Sequence, residues 1–261
     1  MSVLDSFALH GKTALVTGGA GLYGRQIVRA LAEAGATTWV AARNLPALQE
    51  LAQNLAAEGL AIHPRQFDQG DEASILALRD DLVQNGNGID ILVNNAVLRP
   101  IENYEDTGEN FDLSMHVNAT GLFLLTRAMG EVMIRQQRGG SIINIGSTKG
   151  IVGPEPANYL GTTMHGWHPD YFFHKGAIIT YTKFLASYYG PHNIRCNCLS
   201  PGGFQTEDHP EEFVRRYNER TCLGRMANST DLMGSIVYLA SDASAYLTGT
   251  NIPIDGGYTA K

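Results

Sequence analysis

The chain has 261 residues, 44% of them hydrophobic, with 26 acidic side chains against 19 lysines and arginines and a formal net charge of −7. That surface argues against nucleic acid as a partner, because neutralising phosphates needs a basic face. No apolar run approaches the roughly 20 residues of a membrane span, and stretch 1–12 lacks a basic region followed by an apolar one, so neither a membrane protein nor a secreted one is expected.

Apolar β-branched runs alternate with helical patterns along the chain. Stretch 13–17 predicts a first strand, followed by a glycine-rich turn and a helix over 24–34. A strand over 37–41 and a helix over 45–58 follow, the latter with Leu48, Leu51 and Leu55 at helical spacing. A third strand (61–67) precedes a third helix (72–85). The fourth strand (89–94) is too apolar to alternate, as a parallel strand covered on both faces is. One long helix is expected over 110–138, then a strand over 141–145, a helix over 171–189, and strands over 194–200 and 251–254. Strand–helix alternation implies a single α/β domain over 1–261. It is a Rossmann-type, doubly wound parallel sheet of seven strands with helices on both faces.

Two stretches break the rhythm. Stretch 152–169 is rich in Pro, Gly, His and aromatics, and stretch 203–221 holds polar residues and an amphipathic segment. Both follow strand C-terminal ends, where doubly wound sheets bind ligands, so both are read as functional loops. Cys196, Cys198 and Cys222 are an odd set without a disulfide pattern, which suits a reducing cytoplasm.

The turn Thr17-Gly18-Gly19-Ala20-Gly21-Leu22-Tyr23-Gly24 follows a strand and opens a helix. Glycines there let the backbone approach a pyrophosphate, and the helix presents its positive end. At the end of the second strand stands Ala41-Ala42-Arg43-Asn44. A carboxylate there would accept from the adenosine ribose, whereas Arg43 can grip a 2′-phosphate, so NADP(H) is favoured over NAD(H). Far downstream, Tyr171 and Lys175 stand four residues apart on one helix face. A lysine charge favours the ionised phenol and draws its pKa down from about 10, which equips it for proton transfer at a carbinol or carbonyl.

In these motifs the chain resembles the short-chain dehydrogenase/reductase family, over nearly its whole length. Thr17, Gly18 and Gly24 match the family's turn, with Leu22 where a middle glycine is usual. The resemblance implies cofactor contacts from Gly18, Gly21, Leu22, Tyr23, Gly24 and Arg43, and from Asp68 at the adenine. Asn95 and Ala96, in Asn94-Asn95-Ala96-Val97, join them, as do Pro201, Gly202, Phe204 and Thr206. It implies four acting residues: Tyr171 as acid/base, Lys175 on the nicotinamide ribose, Ser147 on the substrate oxygen, and Asn118 holding a water of the proton relay. Tyr171 and Lys175 would also touch the cofactor.

Tyr171 lies 24 residues after Ser147, more than the family's usual spacing. Tyr159 stands nearer, but Thr163 occupies its lysine position, so Tyr171 is assigned and part of 152–169 is an active-site insertion. Such insertions, with Ser200-Pro201-Gly202-Gly203 and Leu223-Gly224-Arg225-Met226, resemble the branch acting on sugars, sugar acids and surface glycans. Ser147, Tyr159, Trp167, His168 and Gly203 are candidate substrate contacts. His165, His168 and His174 lack a carboxylate or cysteine to complete a metal site, so no metal is expected. Arg215, Arg216 and Arg220 read as a solvated helix face before a carboxylate grip.

The expected activity is an NAD(P)-dependent exchange between a secondary alcohol and a ketone, on a carbohydrate or sugar-acid substrate. The rivals are a reductase of an apolar carbonyl, such as an acyl or steroid ketone, and a dinucleotide-binding regulator without turnover. The family's usual assembly implies a homodimer or homotetramer.

Overall fold

The computed structural model describes residues 2–261; Met1, the first residue of the stretch read for a secretion signal, lies outside them. Among the described residues seven strands form one sheet: β1 (Thr13–Thr17), β2 (Thr37–Ala42), β3 (Ile62–Gln66), β4 (Ile91–Asn94), β5 (Gly140–Ile145), β6 (Ile194–Pro201) and β7 (Asn251–Ile254). Their order is β3-β2-β1-β4-β5-β6-β7, and every pairing is parallel. From β1 the chain runs outward to β3, then crosses back to β4 on β1's other side. The connections diverge at that switch point and leave a crevice at the strand C-terminal ends.

β1 (Thr-Ala-Leu-Val-Thr) and β4 (Ile-Leu-Val-Asn) are buried at every residue, because helices cover both faces. Alternation decides which side each residue serves. Ala14 and Val16 of β1 pack with Ile27, Leu31, Leu48, Leu51, Ile236 and Leu239. These come from α1 (Leu22–Glu33), α2 (Leu45–Ala57) and a helix over Met233–Ala240. Leu15 faces the opposite core, with Ile75, Leu78, Leu125, Met129 and Leu185 from α3 (Glu72–Asn85), a helix over Leu122–Gln136 and one over Pro169–Tyr189. Pro64 sits in β3, the edge strand, where its missing N–H costs no ladder bond.

The helix expected over 110–138 is divided. α4 (Gly108–Met115) leads into a π-helical turn (His116–Gly121) and then α5 (Leu122–Gln136). The cause lies in the loop after β3. Gln69 Nε2 donates to the Val117 carbonyl at 2.9 Å, His116 Nε2 meets the Gly70 carbonyl at 2.8 Å, and a Cβ on Gly121 would lie 2.1 Å from the Gln69 oxygen. Inserted groups of this kind break an i→i−4 ladder.

α6 (Pro169–Tyr189) starts two residues earlier than expected, with Pro169 in the first helical turn, and α1 starts at Leu22 rather than 24. α7 (Glu211–Arg220) is the amphipathic segment of 203–221, and α8 (Met233–Ala240) was not anticipated. Cys196 and Cys198 are buried, Cys222 is exposed, and all three are free.

Stretch 152–169 folds over the crevice and packs on α7. Phe213, Tyr217, Met226 and Tyr258 form a small core with Val152, Tyr159 and Met164 against it. Asn158 Nδ2 donates to the Tyr258 hydroxyl at 2.8 Å, and Arg220 pairs with Glu155 at 3.5 Å.

Candidate active site

The turn after β1 is built for close backbone approach. Gly18 adopts φ +67°, and a Cβ there would lie 2.9 Å from Ala96 Cα. A Cβ on Gly24 would lie 2.3 Å from the Gly18 oxygen, so glycine is needed at both positions. Gly21 is the N-cap of α1 and leaves the first N–H groups without a side-chain cap. Those donors and the helix dipole suit a phosphate. Asn95 Nδ2 donates to the Thr17 and Gly18 carbonyls at 2.9 and 3.0 Å, which ties the end of β4 to the turn.

The turn opens into a cleft of about 1010 Å³ at the strand C-terminal ends. It is at the top of the about 300–1,000 Å³ range of ligand sites, enough for a dinucleotide beside a small molecule. Its wall takes in Gly18, Gly21, Leu22, Tyr23 and Gly24 from the turn, Asn95 and Ala96 after β4, and Pro201, Gly202, Gly203 and Phe204 after β6. Ser147, Tyr171, Lys175, Tyr159 and His168 complete the expected residues that line it. Tyr23 donates to the Gly202 carbonyl at 2.8 Å, and its ring meets Phe204 edge-on at 5.5 Å.

Five expected residues lie outside this wall. Arg43 is exposed beside Ala42, which does line it. Asp68 is exposed and its carboxylate accepts the Gly70 N–H at 2.9 Å, so here it caps a loop. Thr206 donates its N–H to His209 Nδ1 at 3.2 Å. Trp167 is 49% exposed and is not part of the wall that its neighbours Gly166 and His168 line. Asn118 is buried and its side chain is used elsewhere: Oδ1 accepts the Leu98 N–H at 2.8 Å, and Nδ2 donates to the Leu98 carbonyl at 2.7 Å and to Ser114 Oγ at 3.0 Å. This side chain clamps the segment after β4.

Lys175 is buried, and its Nζ donates to the Ile145 carbonyl at 2.6 Å. The same Nζ lies 5.7 Å from the centroid of the Tyr171 ring, while the Arg99 guanidinium sits over that ring at 4.4 Å. Burial pushes the Tyr171 phenol up, but the Lys175 ammonium, then Arg99 and the Ser147 hydroxyl, pull it further down, and the net direction is below the ordinary value. Burial likewise holds Lys175 below its ordinary range. Ser147 caps the 3₁₀ turn Thr148–Gly150: its Oγ accepts the Lys149 N–H at 3.1 Å, leaving its own proton free to donate.

Several residues of the cleft carried no motif. Arg99 and Lys149 line it as cations, and Tyr217 accepts the Gly203 N–H at 2.6 Å, fixing the loop after β6. Asp170 lines it too, buried, and accepts from the Ser114 hydroxyl that also accepts from Asn118. Arg215 and Arg216 pair with Glu212 on the solvent face of α7, as a solvated helix face requires.

A family model described as enoyl-(acyl carrier protein) reductase matches residues 21–259. The 2-dehydro-3-deoxy-D-gluconate 5-dehydrogenase of Dickeya dadantii is 31% identical over 269 residues, covering 99% of this chain and 100% of that protein. The gluconate 5-dehydrogenase of Gluconobacter oxydans is 32% identical over 270 residues, covering 100% of both. Among solved structures, a gluconate 5-dehydrogenase from Burkholderia cenocepacia in complex with NADP and tartrate matches with a TM-score of 0.88, 31% identity and 100% of both chains.

Proposed function

The chain belongs to the short-chain dehydrogenase/reductase family, and from that premise we propose an NADP(H)-dependent enzyme that interconverts a secondary alcohol and a ketone on a sugar acid. One observation carries the reading: a phenol drawn below its ordinary pKa by Lys175 and Arg99 lines the same cleft as a glycine cradle and an uncapped helix N-terminus.

A nicotinamide bound in the cleft supplies the exchange of a hydride with the carbinol carbon. The protein's own residues handle the oxygen. Tyr171, ionised, takes the hydroxyl proton during oxidation and returns it during reduction. Ser147 donates to the same oxygen with the hydroxyl proton that remains available while its Oγ accepts the Lys149 N–H. Lys175, fixed on the Ile145 carbonyl, stabilises the phenolate and, lining the cleft, would hold a ribose hydroxyl of the bound cofactor. Oriented donors around a developing alkoxide need no reorganisation at the moment of reaction. Asn118 acts through position: it holds the Leu98 backbone from which Arg99 follows.

The cofactor reading rests on chemistry at the end of β2. No carboxylate stands there, Asn44 is engaged as the N-cap of α2 at 3.1 Å from Ala47 N, and Arg43 is exposed. An exposed guanidinium can close on a 2′-phosphate. The sugar-acid reading draws on the names of the two relatives and on the NADP and tartrate of the structural neighbour.

A second reading, an acyl ketone, is favoured by Met164, Phe172, Phe213 and Met226 in the cleft wall; the family model's description names an acyl-chain substrate but the reduction of a C=C bond. The named relatives are dehydrogenases, which supports turnover over a purely regulatory role. Self-association through α5 and α6 is proposed from Phe123, Phe184 and Tyr188, which are 44%, 60% and 59% exposed, with Tyr181, Phe184 and Tyr188 stacked in a row. A cytoplasmic setting remains the expectation from the free cysteines.

The test is a spectrophotometric panel of aldonates, alditols and β-ketoacyl thioesters with both nicotinamides. NADP+ reduction by an aldonate supports the reading. Turnover of the thioester alone transfers the protein to the second reading.

A further inference from the structure

The cleft contains an ammonium with no acceptor. Lys149 lines the cleft, and its Nζ is buried without a hydrogen-bond partner. Its surroundings are aromatic: the Phe172 ring at 5.6 Å and the Tyr258 ring at 6.0 Å. Ring faces offset part of the lost hydration, but they accept no N–H. A carboxylate at hand, Glu155, is engaged elsewhere, pairing with Arg220 at 3.5 Å and accepting the Ala157 N–H at 3.2 Å. Of the carboxylates on the cleft wall itself, Asp170 is buried against Ser114, and Glu102 is exposed. A buried cation left in this state costs free energy, and the cost is recovered when an anion arrives.

Position adds a second argument. The Lys149 backbone N–H donates to Ser147 Oγ at 3.1 Å, so the lysine is carried by the same short turn as the hydroxyl assigned to the substrate oxygen. Val152, Tyr159 and Met164 of the insertion pack beside Tyr258, whose hydroxyl is held by Asn158, so the insertion supports one of the rings that encloses the ammonium.

We propose that Lys149 is the carboxylate anchor of this cleft: it binds the acid group of the substrate beside Phe172, which lines the cleft, and sets which carbinol reaches Tyr171. The inference rests on the sugar-acid reading above and names the residue that selects the acid. An ammonium between ring faces gives a charge-assisted bond in a desolvated site, so it rewards a carboxylate strongly and a hydroxymethyl group weakly.

Calorimetric titration of the NADP+ complex with D-gluconate, D-gluconamide, D-glucitol and tartrate tests it, on the wild type, Lys149→Met and Lys149→Arg. The wild type is expected to prefer gluconate over gluconamide and glucitol by about tenfold or more, the scale of one charged hydrogen bond. Lys149→Met is expected to erase that ratio and to lose tartrate, and Lys149→Arg to restore most of both. Equal wild-type affinities for gluconate and gluconamide would overturn the anchor without any variant, and so would a Lys149→Met protein that keeps the wild-type ratio. The two proposals fail separately. Lys149-dependent tartrate binding with no aldonate oxidised removes the sugar-acid reading and keeps the anchor. Aldonate oxidation with a ratio indifferent to Lys149→Met does the reverse.

Discussion

The Lys175 ammonium is held between the Ile145 carbonyl, 2.6 Å away, and the face of the Tyr171 ring, 5.7 Å from its centroid. The end of β5 therefore fixes the charge that tunes the phenol. For alcohol oxidation the phenolate is the working form, so the rate falls as pH drops through the lowered Tyr171 pKa. In Lys175→Met the upward push of burial loses its main opponent, although Arg99 remains. The acid-side break in the pH profile of kcat is expected to move to higher pH, with kcat at neutral pH falling by about 10²-fold or more. A break that stays in place would show that Lys175 does not set the proton transfer.

Arg43 stands exposed at the end of β2, and no carboxylate competes for it there. Arg43→Ala is expected to weaken NADPH binding by about tenfold or more, the scale of a charge-assisted hydrogen bond, and to leave NADH binding within about twofold. Titrations with both cofactors check it. Equal losses for the two would place Arg43 outside 2′-phosphate recognition.

A buried polar chain ties the sheet to the helices behind the cleft. Asn94 Nδ2 donates to Thr126 Oγ1 and Asn144 Oδ1 at 3.0 and 2.9 Å, and Asn144 Nδ2 donates to Thr182 Oγ1 at 2.9 Å. Asn144 and Thr182 are fully buried. Asn144→Ala strands a donor and an acceptor in a dry core, and an expected loss of about 2–4 kcal/mol follows. Urea unfolding measures it, and a loss under about 1 kcal/mol would mean that water or repacking satisfies the site.

The strands were legible from their alternation with helical patterns, most clearly β4, an apolar run too continuous for a solvated sheet, whereas the division of the core between Ala14 and Val16 on one face and Leu15 on the other emerged only from the fold. The division of 110–138 was not legible. Its cause is Gln69, a residue distant in sequence that reaches the Val117 carbonyl, and helical periodicity through Leu122 and Leu125 carries no trace of it. The pairing of Tyr171 with Lys175 was readable from spacing. Arg99 and Lys149 were not, because a single cation in a loop has no pattern, and only the fold shows that both line one cleft. Composition marks 152–169 as an aromatic loop without saying which ring meets the cleft: Tyr159 lines it, packed against Phe213 at 5.5 Å, and Trp167 lies outside its wall.

The central claim is that this cleft oxidises a sugar acid through Tyr171. It is tested most directly by NADP+ reduction with D-gluconate or its 3-deoxy and epimeric aldonates, comparing the wild type with Tyr171→Phe at matched cofactor saturation. Wild-type turnover is expected, with a fall in kcat of about 10²–10⁴-fold in Tyr171→Phe, the range of one acid/base group, and NADPH still bound. A Tyr171→Phe enzyme that turns over at the wild-type rate, or a wild type that binds NADPH and oxidises none of these acids, would contradict it.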